Sequence, residues 1–415
     1  METTLTDLLR ADAVPMETLR GQYGALLDLV SKLIGLVPNC DAYLEIWPPA
    51  FRTYNVLVPN FLNLPFSLWG VGAPKDVVGL AMYVASRTAG CAYCSAHASS
   101  FALRRGARPE KVAHALEAGN ADLTVPERAA IAVARSLARV PSDVTEAERR
   151  ELRSQFSPAQ AEWIVLGISL MGFLNKFMDA VGIELEGPTM DEVRPLIGPS
   201  GWVPGKHAVS DAVRADAAVP SVDSFLTHLS VFPLIPSALS LDRRWTAGVP
   251  KRWPAVGDYL REHTGHDFQV LSRLEHGRAI RAIAVMLRDN LDPTTSLLGL
   301  PVKLMAGLVY ATVVGDAALA ADVRKMAERS GVSAEQIAGV VQFVGGESPR
   351  LNVDGRGQAA LILARAASPS PALITAEVVD ACQRGDLSAA AVVELVAWLS
   401  VLQMVHRLSA FYAPA

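Results

Sequence analysis

The chain has 415 residues, 51% of them hydrophobic and 19% charged, with a formal net charge of −4 at pH 7. That balance excludes a polybasic nucleic-acid binder or membrane-surface protein, and the length suffices for two domains with sizeable cores. The apolar content exceeds what one soluble monomer needs, so we expect large cores, subunit interfaces and a homo-oligomer.

In chain order, the segment METTLTDLLRADAVP has no basic stretch followed by an apolar run, so it does not read as a signal peptide. Strand signals are scarce. Apolar residues recur instead at three- and four-residue spacing between Pro and Gly punctuation. The spacing predicts helices over 76–89, 126–138, 146–156 and 158–181, and hence an all-α fold. The longest apolar run, 163–174, contains Ser and Gly and is shorter than a bilayer span. A cytoplasmic protein without a membrane partner is the expectation.

An internal repeat is visible. Arg10-Ala-Asp-Ala-Val-Pro15 recurs as Arg214-Ala-Asp-Ala-Ala-Val-Pro220, an offset of 205 at the proline. The spacing of Arg105-Gly-Ala-Arg-Pro-Glu-Lys-Val112 recurs at Ser330-Gly-Val-Ser-Ala-Glu-Gln-Ile337, an offset of 225, and Ala134-Arg135 pairs with Ala364-Arg365 at 230. The second copy therefore carries extra residues around 241–266 and a few near 346–352. We expect a first domain over 1–186, a Gly/Pro-rich linker over 187–213 and a second domain over 214–415, each burying its own core.

Four cysteines are too few for a disulfide framework. Two of them sit in Gly90-Cys91-Ala-Tyr-Cys94-Ser-Ala-His97. Gly90 breaks the preceding helix, and a new one is expected from Cys91 to Arg105, ended by Gly106. Residues three apart share a helix face, so Cys91 and Cys94 can approach within disulfide reach and His97 pairs with Cys94. A first-turn thiol beside an imidazole should have a lowered pKa. Its thiolate would attack a peroxide oxygen or a disulfide sulfur, and Cys91 would resolve the intermediate.

Other readings compete. Free cysteines are often only buried core residues. Structural zinc wants four ligands, and only three cluster here, so no metal and no other cofactor is expected. Arg87 could favour the thiolate, Tyr93 could shape the pocket, and Asn175 is a buried polar group on an apolar helix. Cys40 and Cys382 read as isolated core residues.

At the dithiol the chain resembles the AhpD-like/carboxymuconolactone decarboxylase superfamily of helical oligomers. Residues 85–106 look like that family's active-site helices, and Phe173-Leu-Asn-Lys-Phe-Met-Asp179 resembles its Asn-centred closing helix. The resemblance covers about residues 50–185, with a degenerate copy over 290–412. It implies two tandem helical bundles, with Cys94 as the peroxidatic cysteine, Cys91 as its partner and His97 in the proton relay. The family places that histidine four residues after the second cysteine, here Ala98. Its relay carboxylate lies twelve residues before the first cysteine, here Gly79; Asp76, one turn earlier on the same face, could substitute for it, its other reading being a first-turn acid that stabilises the helix start. At the offset of 225, Cys91, Cys94 and His97 fall on Asp316, Leu319 and Asp322, so the second copy lacks the constellation.

The leading expectation is a thiol-dependent oxidoreductase of the alkylhydroperoxidase type. It would reduce a hydroperoxide or a disulfide, with a protein dithiol as electron donor and no nucleic-acid partner. The alternatives are a lyase or isomerase acting on a small cyclic acid, with His97 as acid/base, and a non-catalytic assembly protein.

Overall fold

The structure, a computed structural model, describes residues 3–117, 121–208, 225–347 and 351–413. It is all-α: 71% of the described residues are helical, and none of them lies in a strand. The periodic segments become the helices Lys75–Thr88, Val125–Ala138, Glu146–Gln155 and Pro158–Val181. Local chemistry fixes their starts. Thr124, Thr145 and Ser157 each form a capping box with the Glu or Gln three residues on, satisfying backbone N–H groups that the first turn leaves free. Gly182, at φ +79°, ends the longest of them.

The helices recur in order. Lys75–Thr88 and Ala92–Arg104 have counterparts Leu300–Val314 and Ala317–Arg329, each starting 225 residues later. Val125–Ala138 and Glu146–Gln155 recur as Gly355–Ala367 and Ala376–Arg384, 230 residues later. Pro158–Val181 recurs as Ala389–Tyr412. The repeat mark at 214–220 lies outside the described residues.

The expectation of two separate cores is corrected. One continuous apolar cluster runs through both halves. Its axis is the crossing of Pro158–Val181 with Ala389–Tyr412, the most extensive helix pair in the molecule. Gly172 allows the close approach: a Cβ there would meet the Gln403 carbonyl oxygen and the Met404 Cα, both at 3.1 Å. Both helices have 24 residues and are long and apolar enough to cross a bilayer. Their most apolar stretches are 94% and 89% buried within the fold, which makes them core helices here. Polar groups clamp the same seam: the Lys176 ammonium donates to the carbonyls of Ala367, Ser368 and Pro369 at 3.0, 2.6 and 2.5 Å, and Arg407 donates to the Ile168 carbonyl at 2.9 Å.

The expected linker is also corrected in part. Residues 187–197 form the helix Gly187–Ile197, which packs on Ala92–Arg104, where Ser100 donates to Glu192 at 2.7 Å. The last residues of the expected linker, 209–213, lie outside the described ones.

Candidate active site

The site is built at the turn between two antiparallel helices. Lys75–Thr88 ends at Ala89 and Gly90, and Gly90 takes φ +74°, which reverses the chain. The thiol helix then runs over Ala92–Arg104 with Cys91 as its N-cap. The Cys94 backbone N–H donates to Cys91 Sγ at 3.2 Å. The second half repeats this local geometry with a carboxylate: Asp316 caps Ala317–Arg329 and accepts the Leu319 N–H at 2.9 Å. There His406 completes the group, its Nδ1 2.6 Å from Asp316.

Cys91 and Cys94 therefore lie together, both as free, buried thiols. Cys94 and His97 line one apolar cavity, partly open to solvent, together with Tyr54, Met82, Phe101 and Met171. Cys91 is fully buried behind it. Cys40, expected to be an isolated core residue, lines the same cavity.

His97 does not find its carboxylate where the sequence reading placed it. Asp76 opens Lys75–Thr88 at the end remote from Cys91, about 18 Å away along the axis at helical rise. Position 79 cannot supply an acid either. A Cβ there would meet Ala102 Cα at 2.7 Å, because the two helices touch at that level. The partner is Glu186, which follows Pro158–Val181: its Oε2 is 2.7 Å from His97 Nε2. Glu186 is wholly buried, and its other oxygen accepts from the Asn39 N–H at 2.6 Å and the Tyr93 hydroxyl at 2.9 Å. Burial pushes this carboxyl up, but the charge and hydrogen bond of His97 and the Asn39 N–H outweigh it, holding the group below the ordinary range. An ionised Glu186 accepts a proton-bearing Nε2, which leaves Nδ1 of a neutral ring as the acceptor. The Tyr93 ring lies against the imidazole, with centroids 4.5 Å apart.

The expected lowering of the Cys94 pKa is corrected. Burial pushes this thiol well up, and its hydrogen bond with Cys91 adds to the effect. The helix start is already occupied by the Cys91 sulfur, and no Lys or Arg lines the cavity. Arg87 points elsewhere, to the Tyr83 and Ser200 hydroxyls. Asn175 reaches only the Ala85 carbonyl, at 3.5 Å. Among the described residues no group of three or more His, Cys, Asp or Glu is placed to hold a metal ion.

Sequence reasoning missed Glu186, Asn39 and Cys40. Glu186 lies 89 residues from His97 and carries no local motif, and the first-domain boundary drawn after residue 186 fell on it. No protein-family model and no curated protein matches the chain. Two solved structures do, over less than half of it. The crystal structure of the apo debrominase Bmp8 is 24% identical, with a TM-score of 0.39 over 44% of this chain and 96% of that one. A cysteine-to-alanine variant of the same debrominase, in complex with 2,3,4-tribromopyrrole, is 23% identical with the same TM-score and coverage.

Proposed function

We propose that the protein is a thiol-dependent oxidoreductase that reduces an organic hydroperoxide at Cys94, with Cys91 as resolving thiol and His97–Glu186 as proton relay. One observation carries this reading: a dithiol whose outer sulfur shares an apolar cavity with an imidazole that a buried carboxylate holds in place. The sequence resemblance to the AhpD-like superfamily accords with it.

Cys94 rests as the thiol, so it needs a base. His97 Nδ1 takes the proton, and the thiolate attacks the terminal oxygen of R–O–OH. The O–O bond breaks, the alkoxide takes the proton from His97 and leaves as ROH, and Cys94 becomes the sulfenic acid. The Cys91 thiol then attacks that sulfur. A Cys91–Cys94 disulfide forms, and the hydroxyl leaves as water with the Cys91 proton. An external dithiol supplies the two electrons that restore the pair and is itself oxidised to its disulfide.

Cys94 is only 3% exposed, which favours an organic hydroperoxide over a protein disulfide as the oxidant. The cavity wall lacks the cationic side chains that a small cyclic acid would call for, which disfavours the lyase alternative.

The test is limiting tert-butyl hydroperoxide followed by alkylation and mass spectrometry. A Cys91–Cys94 linkage is expected in the wild type and none in Cys94→Ser, which also loses peroxide turnover with dithiothreitol as donor. Glu186→Gln is expected to slow oxidation at least tenfold and to shift its pH profile, since the imidazole loses its anionic partner. Undiminished turnover in Cys94→Ser would overturn the proposal.

A further inference from the structure

A second cavity adjoins the thiol cavity and enlarges what the site can hold. Its exposed lining is mostly apolar, with Asn55, Arg105, Asp242 and Arg278 as its polar members. The two cavities share Ile34, Tyr54, Val58, Leu62 and Phe101 as walls, so they lie against the same set of side chains. One side of the outer chamber comes from the second half of the chain. The helix Ile235–Trp245 packs against Met16–Ile34 and Pro48–Phe61 and presents Ala238, Leu241 and Trp245 to the chamber. The surface beside it is apolar too. Phe66 and Phe232 are each about half exposed, at 49% and 52%, and Phe232 lies 5.3 Å from the Trp69 ring. These residues flank Leu64, Pro65 and Ile235 of the chamber wall.

We propose that the two cavities act as one substrate channel. The channel selects hydroperoxides carried on an extended apolar chain, with the peroxide at Cys94 and the chain in the outer chamber. This rests on the peroxidase reading above and adds the substrate class to it. Each methylene that leaves water for such a channel should contribute through burial, up to about fourfold per CH₂ when burial is complete. The step itself is unchanged, ROOH and two thiols giving ROH, water and the disulfide, so the straight-chain alcohols are both products and non-oxidising probes of the channel. The half without the dithiol thereby has a place in the chemistry, as the wall that sets chain length.

The experiment compares n-butyl, n-octyl and n-dodecyl hydroperoxides as oxidants of the full-length protein. In parallel, 1-butanol, 1-octanol and 1-dodecanol are tested as protectants of Cys94 against alkylation. kcat/KM and protection should both rise with chain length, by tenfold or more from butyl to dodecyl. Ala238→Trp, which fills the outer chamber, should remove that gain and lower dodecyl hydroperoxide turnover at least tenfold more than n-butyl hydroperoxide turnover. Ala238→Leu, a smaller filling, should remove part of it. Chain-length-independent rates and protection, or an undiminished dodecyl preference in soluble, folded Ala238→Trp, would overturn the channel while leaving the peroxidase reading intact. Length-dependent protection by the alcohols with no oxidation by any hydroperoxide would instead sink the peroxidase reading, and the substrate class with it.

Discussion

Burial pushes the carboxyls of two neighbouring acids up, and the partners each one meets send them opposite ways. Glu186 is ionised inside the protein because a backbone N–H, a phenol and an imidazole meet it. Asp41, equally buried, has no such set of partners: only the Asn55 side chain acts to lower it. Burial first, then the nearby charges of Glu186 and Glu45, push its carboxyl up to about 8. An acid raised in the folded state gives a contribution fully present below its unfolded pKa of about 4 and lost as pH rises towards 8. Asp41→Asn is therefore expected to raise Tm, with an advantage over wild type that grows from pH 5 to pH 8.5 in thermal melts. An advantage independent of pH would mean that the carboxyl is satisfied in solution. The same burial keeps Cys94 protonated, so its alkylation by iodoacetamide should be slow at pH 7 and accelerate as pH is raised past 9, with Cys94 followed by peptide mapping.

At the scale of the element, the start of the thiol helix has two duties. Cys91 accepts the Cys94 N–H as an N-cap does, and Asp316 performs the same task in the other half. Cys91→Ser keeps an acceptor and should hold Tm near wild type, whereas Cys91→Ala should cost about 1 kcal/mol, the usual worth of a cap. Both variants lose the disulfide. Equal melting temperatures for the two would show that the sulfur does not cap the helix. The dithiol, its histidine and the helices around them were legible because they follow from local rules: Gly90 to reverse the chain, Cys and His at one-turn spacing, Pro and capping residues at helix starts. Gly79 and Glu186 were not. Gly79 answers to Ala102 on the neighbouring helix, and Glu186 acts across 89 residues. Neither contact leaves a mark in its own stretch of sequence. The carboxylate was sought within the helix pair, where the packing leaves no room for it.

At the scale of the molecule, the duplication explains why a half without the site is retained. Pro158–Val181 is apolar on nearly every side, and an all-round apolar helix needs burial all round. Ala389–Tyr412 supplies one side of that burial, and the Lys176 and Arg407 clamps tie each half to the other's backbone. The two halves should therefore unfold together. Gly172→Val tests this where the long helices touch. Its side chain would press on the Gln403 carbonyl and Met404, and overpacking of this kind costs about 1–3 kcal/mol. The expected result is one calorimetric transition at a lower temperature. Helical circular dichroism and the exposure of Cys94 and Cys382, one cysteine from each half, should change at the same midpoint. Two transitions, with Cys382 protected after Cys94 has become reactive, would show that the shared core does not couple the halves. The second half would then be only a neighbour of the thiol site and could not hold the wall of its channel.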